Sequence, residues 1–267
     1  MSPKPNGTPI WVDATFSDIE GAKSFYGDLL GWTFEEGDPQ FGGYTQALSD
    51  GKRVGALAPP MPGSEEMPPA WTLYLASDDV AATATAVTAA GGTTVLEPME
   101  VGDYGSMIIA TDPAGVPFGV WQPGTHQGFE KENAPGAVCW AEVATRDAAA
   151  ADGFFPAVFD YEVRKVQDDA VDFHVWSTPG AEMPALGRFA MGEECPPEMP
   201  SGIGVYFGVA DVDEAIGKVT KAGGRVDFGP KDSPFGRFAA VSDPWGTPFA
   251  IIDAETTEGE MPEMKEI

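Results

Sequence analysis

Basic residues, cysteine and histidine are all scarce in this chain. Fifteen Lys and Arg face 42 Asp and Glu, leaving a net charge of −27. Such a surface repels nucleic acid and anionic membranes, so neither is expected as a partner. Cys139 and Cys195 are the only cysteines among 267 residues, too few for a disulfide framework and without a C-x-x-C pair. A reduced, cytoplasmic setting is expected. The start of the chain is polar and Pro-containing with no apolar h-region, so no secretory signal is expected. No apolar run approaches the roughly 18 residues of a membrane span. The two histidines, His126 and His174, cannot supply a histidine-rich metal centre or a catalytic triad with motif context. Gly-rich stretches such as Gly42-Gly43 lack the phosphate-loop or dinucleotide pattern.

What the chain does contain is a repeat. Trp11-Val12-Asp13 followed by Ser17-Asp18 returns as Trp140-Ala141-Glu142 followed by Arg146-Asp147. Met67-Pro68, Asp78-Asp79-Val80 and Ala90-Gly91-Gly92 return as Met199-Pro200, Ala210-Asp211-Val212 and Ala222-Gly223-Gly224. Asp112-Pro113-Ala114-Gly115 returns as Asp243-Pro244-Trp245-Gly246. An offset that stays near 130 marks two copies of one domain. The expected boundaries are a first domain over 8–123, a Gly, Pro and charge-rich linker over 124–136, a second domain over 137–254, and an acidic tail over 255–267 that should fray.

Within the first copy the periodicity changes from strand to helix and back, twice. A strand is expected over Trp11 to Phe16, capped by Ser17-Asp18. A helix carries Ile19, Ala22, Phe25, Tyr26, Leu29 and Leu30 and stops at Gly31. Strands follow from Thr33, over Tyr44 to Leu48 and over Val54 to Ala58, with Asp50-Gly51 as a turn. The Pro-rich stretch 59–69 crosses over to a second round. It reads strand Trp71 to Ala76, cap Ser77-Asp78, helix Val80 to Ala90, and strands over Thr93 to Leu96, Ser106 to Ala110 and Pro117 to Trp121. Each half of each copy is therefore βαβββ, and the class is α+β. Pro156 inside the third helical pattern argues against an unbroken helix there. His174 lies in an alternating run, Val171 to Trp176, as a strand residue. Met61, Met67, Met183, Met191 and Met199 beside the proline loops serve loop packing or a pocket mouth.

The ordered set of Phe25-Tyr26, Gly31-Trp32, Ala90-Gly91-Gly92 and the D-P-x-G turn resembles the vicinal-oxygen-chelate superfamily of glyoxalases, bleomycin-resistance proteins and dioxygenases. The two-domain layout resembles actinobacterial members described as hydroxylases or culture-filtrate antigens. The resemblance implies that paired βαβββ units form an eight-stranded cup around a ligand cavity. It also implies metal ligands at set strand positions, which fall on Trp11, Thr72 and Gly119 in the first domain. In the second they fall on Trp140, Gly204 and Ala250. None of these is an ordinary divalent-metal ligand, so no metal and no other cofactor is expected.

Strand alternation then names same-face neighbours: Asp13 with Trp11, Tyr74 with Thr72, Trp121 with Gly119, and in the second domain Glu142 with Trp140, Tyr206 with Gly204, Ile252 with Ala250. Each cup is expected to present a Trp, a carboxylate and a Tyr. Three readings stay open. The cups bind a small aromatic or carbonyl compound without metal, sequestering or detoxifying it. Alternatively, Asp13 and Glu142, with Tyr74 and Tyr206, are the acid–base groups of a lyase or hydroxylase-like enzyme. In the third, the chain is an antigen-like interaction protein. Beside these stands structural filling, in which the Trp occupies the space of the metal and the carboxylate bonds the Tyr hydroxyl. The two domains are expected to pair with each other, making the chain a monomer with internal pseudo-symmetry.

Overall fold

The computed structural model describes residues 4–60, 69–168, 171–193, 195–197 and 199–267. The first half runs β1 (Pro9–Thr15), α1 (Ile19–Leu30), β2 (Thr33–Phe34), β3 (Thr45–Ser49), β4 (Lys52–Ala58), β5 (Trp71–Ala76), α2 (Val80–Ala89), β6 (Thr93–Val101), β7 (Gly105–Thr111) and β8 (Pro117–Pro123). The second runs β9 (Val138–Thr145), α3 (Ala148–Phe159), β10 (Glu162–Val166), β11 (Phe173–Ser177), β12 (Leu186–Ala190), β13 (Gly202–Gly208), α4 (Val212–Lys221), β14 (Arg225–Lys231), β15 (Arg237–Ser242) and β16 (Pro248–Asp253), with β17 (Met264–Glu266) beyond it. Each half builds its own sheet, in the orders β2-β3-β4-β1-β5-β8-β7-β6 and β14-β15-β16-β13-β9-β12-β11-β10-β17.

The topology follows from the βαβββ unit. A helix carries the chain over the sheet, and three antiparallel strands return so that the last lies parallel to the first, as β4 does on β1 and β8 on β5. The two units of a domain join where β1 and β5 run antiparallel, and likewise β9 and β13. Capping explains the helix bounds. Asp18 accepts from the backbone of Gly21, and Gly31 closes α1 in the left-handed region at φ 71°. The cap of α2 is Asp79 rather than the expected Ser77-Asp78. Asp79 reaches the N–H groups of Ala81 and Ala82, while Asp78 is held by Asn6.

Two expectations change. Helix α3 continues through Pro156. Its Phe154, Phe155 and Phe159 are buried, and that packing offsets the hydrogen bond that proline cannot donate. The tail does not simply fray, because β17 adds to the outer edge of β10. Met61 and Met67, with most of the Pro-rich crossover, lie outside the described residues. Met191 is buried, whereas Met183 and Met199 are exposed.

The domains pack helix side to helix side through one continuous core. Phe25 and Tyr26 of α1 meet Trp245 and Phe249 of the second domain, and Phe154 and Phe155 of α3 meet Phe118 of the first. Tyr26 donates a buried hydrogen bond to Asp243 across this seam at 3.0 Å and accepts one from the Trp71 indole at 3.1 Å. Two grooves of about 310 and 480 Å³ lie at the ends of the seam, one lined by Leu30, Asp50, Gly136 and Asp211, the other by Phe159, Pro179, Asn6 and Asp78. They are pseudo-symmetry mates made of equivalent elements. The sheet faces away from the seam form the two cups.

Candidate functional site

The cup floor of the first domain is built by cross-strand pairing. Trp11 stands opposite Tyr74 and Asp13 opposite Thr72, and Tyr74 is paired in turn with Gly119 and Ala76 with Trp121. Because Val12 and Ala14 point to the core, Trp11 and Asp13 share the opposite face. The Trp11 indole donates to the Tyr44 hydroxyl at 2.8 Å, and Tyr44 donates to Asp13 at 3.1 Å. The Tyr74 hydroxyl lies near Asp13 as a second polar neighbour and helps to hold its charged form. Burial pushes the Asp13 carboxyl up to about 6, and the two tyrosine hydroxyls oppose that rise only in part. Asp13 keeps some contact with solvent but is surrounded by protein on nearly every side. Burial likewise drives the Tyr44 and Tyr74 hydroxyls up, with the Asp13 charge adding to it, so both remain protonated.

The second cup repeats the plan with one substitution. Glu142 pairs with Gly204, Trp140 with Tyr206, and Tyr206 with Ala250. Strand register makes Phe173 the counterpart of Tyr44. Its ring and that of Trp140 both lie over Gly187, where an added Cβ would come within 2.6 and 2.8 Å of them. With no hydroxyl to relay through, the Trp140 indole donates directly to Glu142 at 3.1 Å, and Tyr206 donates to its other oxygen at 3.0 Å. The longer Glu side chain makes that direct bond reachable. Burial again raises the carboxyl.

The cups differ in closure. In the first, Trp11 is 4 % exposed and Tyr74 and Trp121 are each 7 % exposed. In the second, Trp140, Glu142, Gly204 and Tyr206 are all half-buried, while Ala250 and Ile252 are buried. Two features shut the first cup. The Tyr74 ring lies directly over Gly119, so the missing side chain makes space for that ring rather than for a ligand. The linker also folds in: His126 meets Trp11 edge-on at 4.4 Å and Trp121 at 5.6 Å, and Phe129 packs on Trp11 at 5.6 Å. Burial pushes the His126 imidazole down to about 4. In the second cup Gly204 has no neighbouring atom nearer than 3.9 Å to an added Cβ, so that position is open.

The four proposed acid–base residues thus fall in two groups: Glu142 is hydrogen-bonded to Tyr206, and Asp13 is hydrogen-bonded to Tyr44 with Tyr74 beside it. Sequence reasoning missed Tyr44, Phe173 and His126. Alternation along β3 and β11 was the available signal for the first two. No local signal places a linker histidine against Trp11. His174 lies on the helix side of β11, with Nδ1 3.1 Å from Asp152 and beside the buried Arg188, away from the cup.

The residues do not suit a divalent metal. Trp11, Thr72 and Gly119, like Trp140, Gly204 and Ala250, the residues to which the resemblance assigns ligands, offer no imidazole, carboxylate or thiolate. No three His, Cys, Asp or Glu residues converge on a metal-sized space among the described residues. Also among them, no helix is long and apolar enough to cross a membrane.

Comparison with known proteins agrees with this architecture. The chain is 36 % identical over 265 residues to the anthracycline biosynthesis protein DnrV of Streptomyces peucetius, covering 92 % of this chain and 93 % of that one. It is also 36 % identical over 251 residues to "Putative glyoxylase CFP32" of Mycobacterium bovis, covering 92 % and 94 %. Among solved structures, the Mn(II)-bound glyoxalase from Novosphingobium aromaticivorans shares the fold at TM-score 0.63 and 18 % identity, over 96 % of this chain and 87 % of that one. The 2,3-dioxygenase LapB from Pseudomonas sp. KL28 does so at 0.64 and 16 %, over 97 % and 96 %. The family model described as Glyoxalase/Bleomycin resistance protein/Dioxygenase superfamily matches residues 10–120 and again 138–251, and the chain belongs to that superfamily as a tandem two-domain member.

Proposed function

We infer that this protein binds a small, flat molecule in its cups without using a metal, so as to sequester or detoxify it. The observation that carries the reading is the replacement of the family's ligand positions by Trp11, Thr72 and Gly119 and by Trp140, Gly204 and Ala250. Beside them a Trp, a buried carboxylate and a Tyr are built twice in one chain. Indole faces supply apolar walls, and a few convergent polar groups supply orientation. The greater exposure of the second cup makes it the principal site. The chain acts as a monomer, since each helix face that a single-domain relative would bury in a dimer is already covered by the other half.

Elemental analysis of untagged protein, with calorimetric screening of aromatic metabolites, tests this reading. Substoichiometric divalent metal and saturable binding are expected. One tightly held divalent ion per domain would overturn it.

A second reading is favoured by the raised carboxyls. Asp13, near 6, is suited to taking up and giving back a proton near neutral pH, with Tyr44 as its donor and Tyr74 beside it. Under that reading the chain is a lyase or hydroxylase-like enzyme. Turnover of an aldehyde or aromatic substrate that is lost in Asp13→Asn or Glu142→Gln, with binding retained, would favour it over pure binding.

A further inference from the structure

The hydrogen-bond directions in the two cups narrow the ligand class. A Tyr hydroxyl has one proton to give and an indole one. In the first cup the Trp11 proton goes to Tyr44, and the Tyr44 proton goes to Asp13. In the second, the Trp140 and Tyr206 protons both go to Glu142. In the second cup both donors are therefore already directed at the carboxylate, and in the first Trp11 reaches Asp13 only through the Tyr44 hydroxyl. What remains for a ligand is acceptor capacity: free lone pairs on the carboxylate and on the tyrosine oxygens. In the second cup a carbonyl compound would find neither Trp140 nor Tyr206 free to donate without breaking a bond to Glu142. A ligand that brings its own N–H groups would find acceptors in place.

The charge balance points the same way. Neither Asp13 nor Glu142 has a cationic partner within salt-bridge distance. The described residues include every lysine, arginine and histidine of the chain. Both carboxylates are walled by aromatic rings, Trp11, Tyr44 and Tyr74 in one cup and Trp140, Tyr206 and Phe173 in the other. An anion on an aromatic floor, with its counter-charge missing, is complementary to a cation, which is attracted both by the carboxylate and by the ring faces. The net charge of −27 raises the local concentration of cations around the whole molecule.

We propose that the open second cup recognises an organic cation, a protonated amine carried on a flat apolar body, with Glu142 as its counter-ion. The proposal rests on the cups being the binding sites, and its test separates the two.

Three probes of one shape are titrated into the full chain: 2-phenylethylamine, the neutral 2-phenylethanol and the anionic 3-phenylpropionate. Binding is followed by calorimetry and by the indole N–H resonances of Trp11 and Trp140, assigned with single Trp→Phe variants. The amine is expected to shift the Trp140 resonance and to bind about tenfold or more tighter than the alcohol. The carboxylate should bind least. In the double variant Asp13→Asn, Glu142→Gln the amine should fall to the affinity of the alcohol, whose own binding should hardly change. The unmodified protein gives an independent reading. The amine's advantage should shrink as pH is lowered and Glu142, whose carboxyl burial raises, takes up a proton. An alcohol that binds as tightly as the amine, or an amine preference that survives in the double variant, would overturn the cation assignment and leave cup binding standing. If none of the probes moves either indole resonance at millimolar concentration, cup binding itself fails, and the cation assignment with it.

Discussion

The pseudo-symmetry of the domain seam predicts a stabilising substitution, Phe155→Tyr. On one side of the seam the Asp243 carboxylate is fully partnered. Its Oδ1 accepts from the backbone of Trp245 at 3.0 Å and Thr247 at 2.8 Å, and its Oδ2 from the Tyr26 hydroxyl. The mate is Asp112, whose Oδ1 accepts from Ala114 at 2.9 Å and Val116 at 2.8 Å. Its buried Oδ2 has no partner, because Phe155 stands where Tyr26 stands opposite. The ring positions match closely. Tyr26 lies 4.9 Å from Phe25 at 89° and 5.7 Å from Phe249 at 52°, whereas Phe155 lies 5.1 Å from Phe154 at 88° and 5.3 Å from Phe118 at 55°. A hydroxyl added to Phe155 therefore aims at Asp112. A hydrogen bond to a buried charged acceptor contributes about 1.5–3 kcal/mol net. Fitting one oxygen into a packed core takes back part of that, leaving about 1 kcal/mol and a Tm higher by roughly 2–4 °C. Burial raises the Asp112 carboxyl, so its charged form is the disfavoured one in the folded state. The added donor stabilises that charged form, so the gain should be larger at neutral pH than in acid. Scanning calorimetry at two pH values measures it, with Tyr26→Phe as the reverse experiment, expected to cost about 1–3 kcal/mol. Should Phe155→Tyr leave Tm unchanged or lower it while Tyr26→Phe destabilises, the equivalence of the two sites is refuted.

Two further outcomes follow from the cups. Burial holds the Asp13 carboxyl at about 6, above its ordinary value, so its contribution to stability is present below about pH 4 and lost as pH rises through about 6. Asp13→Asn should therefore stabilise the protein relative to the unmodified chain above pH 6, by at most about 3 kcal/mol. The difference should shrink towards acid pH, and a urea midpoint difference independent of pH would contradict this origin. Gly119→Ala should destabilise by about 1–3 kcal/mol because its Cβ would overlap the Tyr74 ring. Gly204→Ala, whose Cβ meets nothing nearer than 3.9 Å, should change stability by less than about 1 kcal/mol. Equal effects of the two in thermal unfolding would mean that the cups are closed alike.

The sequence by itself determined the repeat, the βαβββ order and the side of each strand that carries the cup. These are local properties. The hydrophobic period changes between 2 and 3.6 along the chain, Asp and Gly mark helix ends, and one face of β1 must hold Trp11 with Asp13 if Val12 and Ala14 are in the core. It also determined which side chains could not be metal ligands, since that is a matter of residue type alone. Alternation also brought Tyr206 to the side of Glu142, where it donates to the carboxylate, but the partners from more distant strands were beyond its reach. Tyr44 and Phe173 come to Asp13 and to Trp140 from strands two places away in the sheet, and only the pairing register decides which of them faces the carboxylate. Closure of the first cup was also a tertiary decision. His126 and Phe129 look like linker residues in sequence, and they close the cup because the linker must return across β1 to begin the second domain. The tail has no such constraint on its cup and goes instead to β10, whose outer edge offered unpaired backbone groups. Two copies of one pattern thus become one closed cup and one open one, because the linker packs on the first while the segment after the second domain pairs with the outer edge of β10.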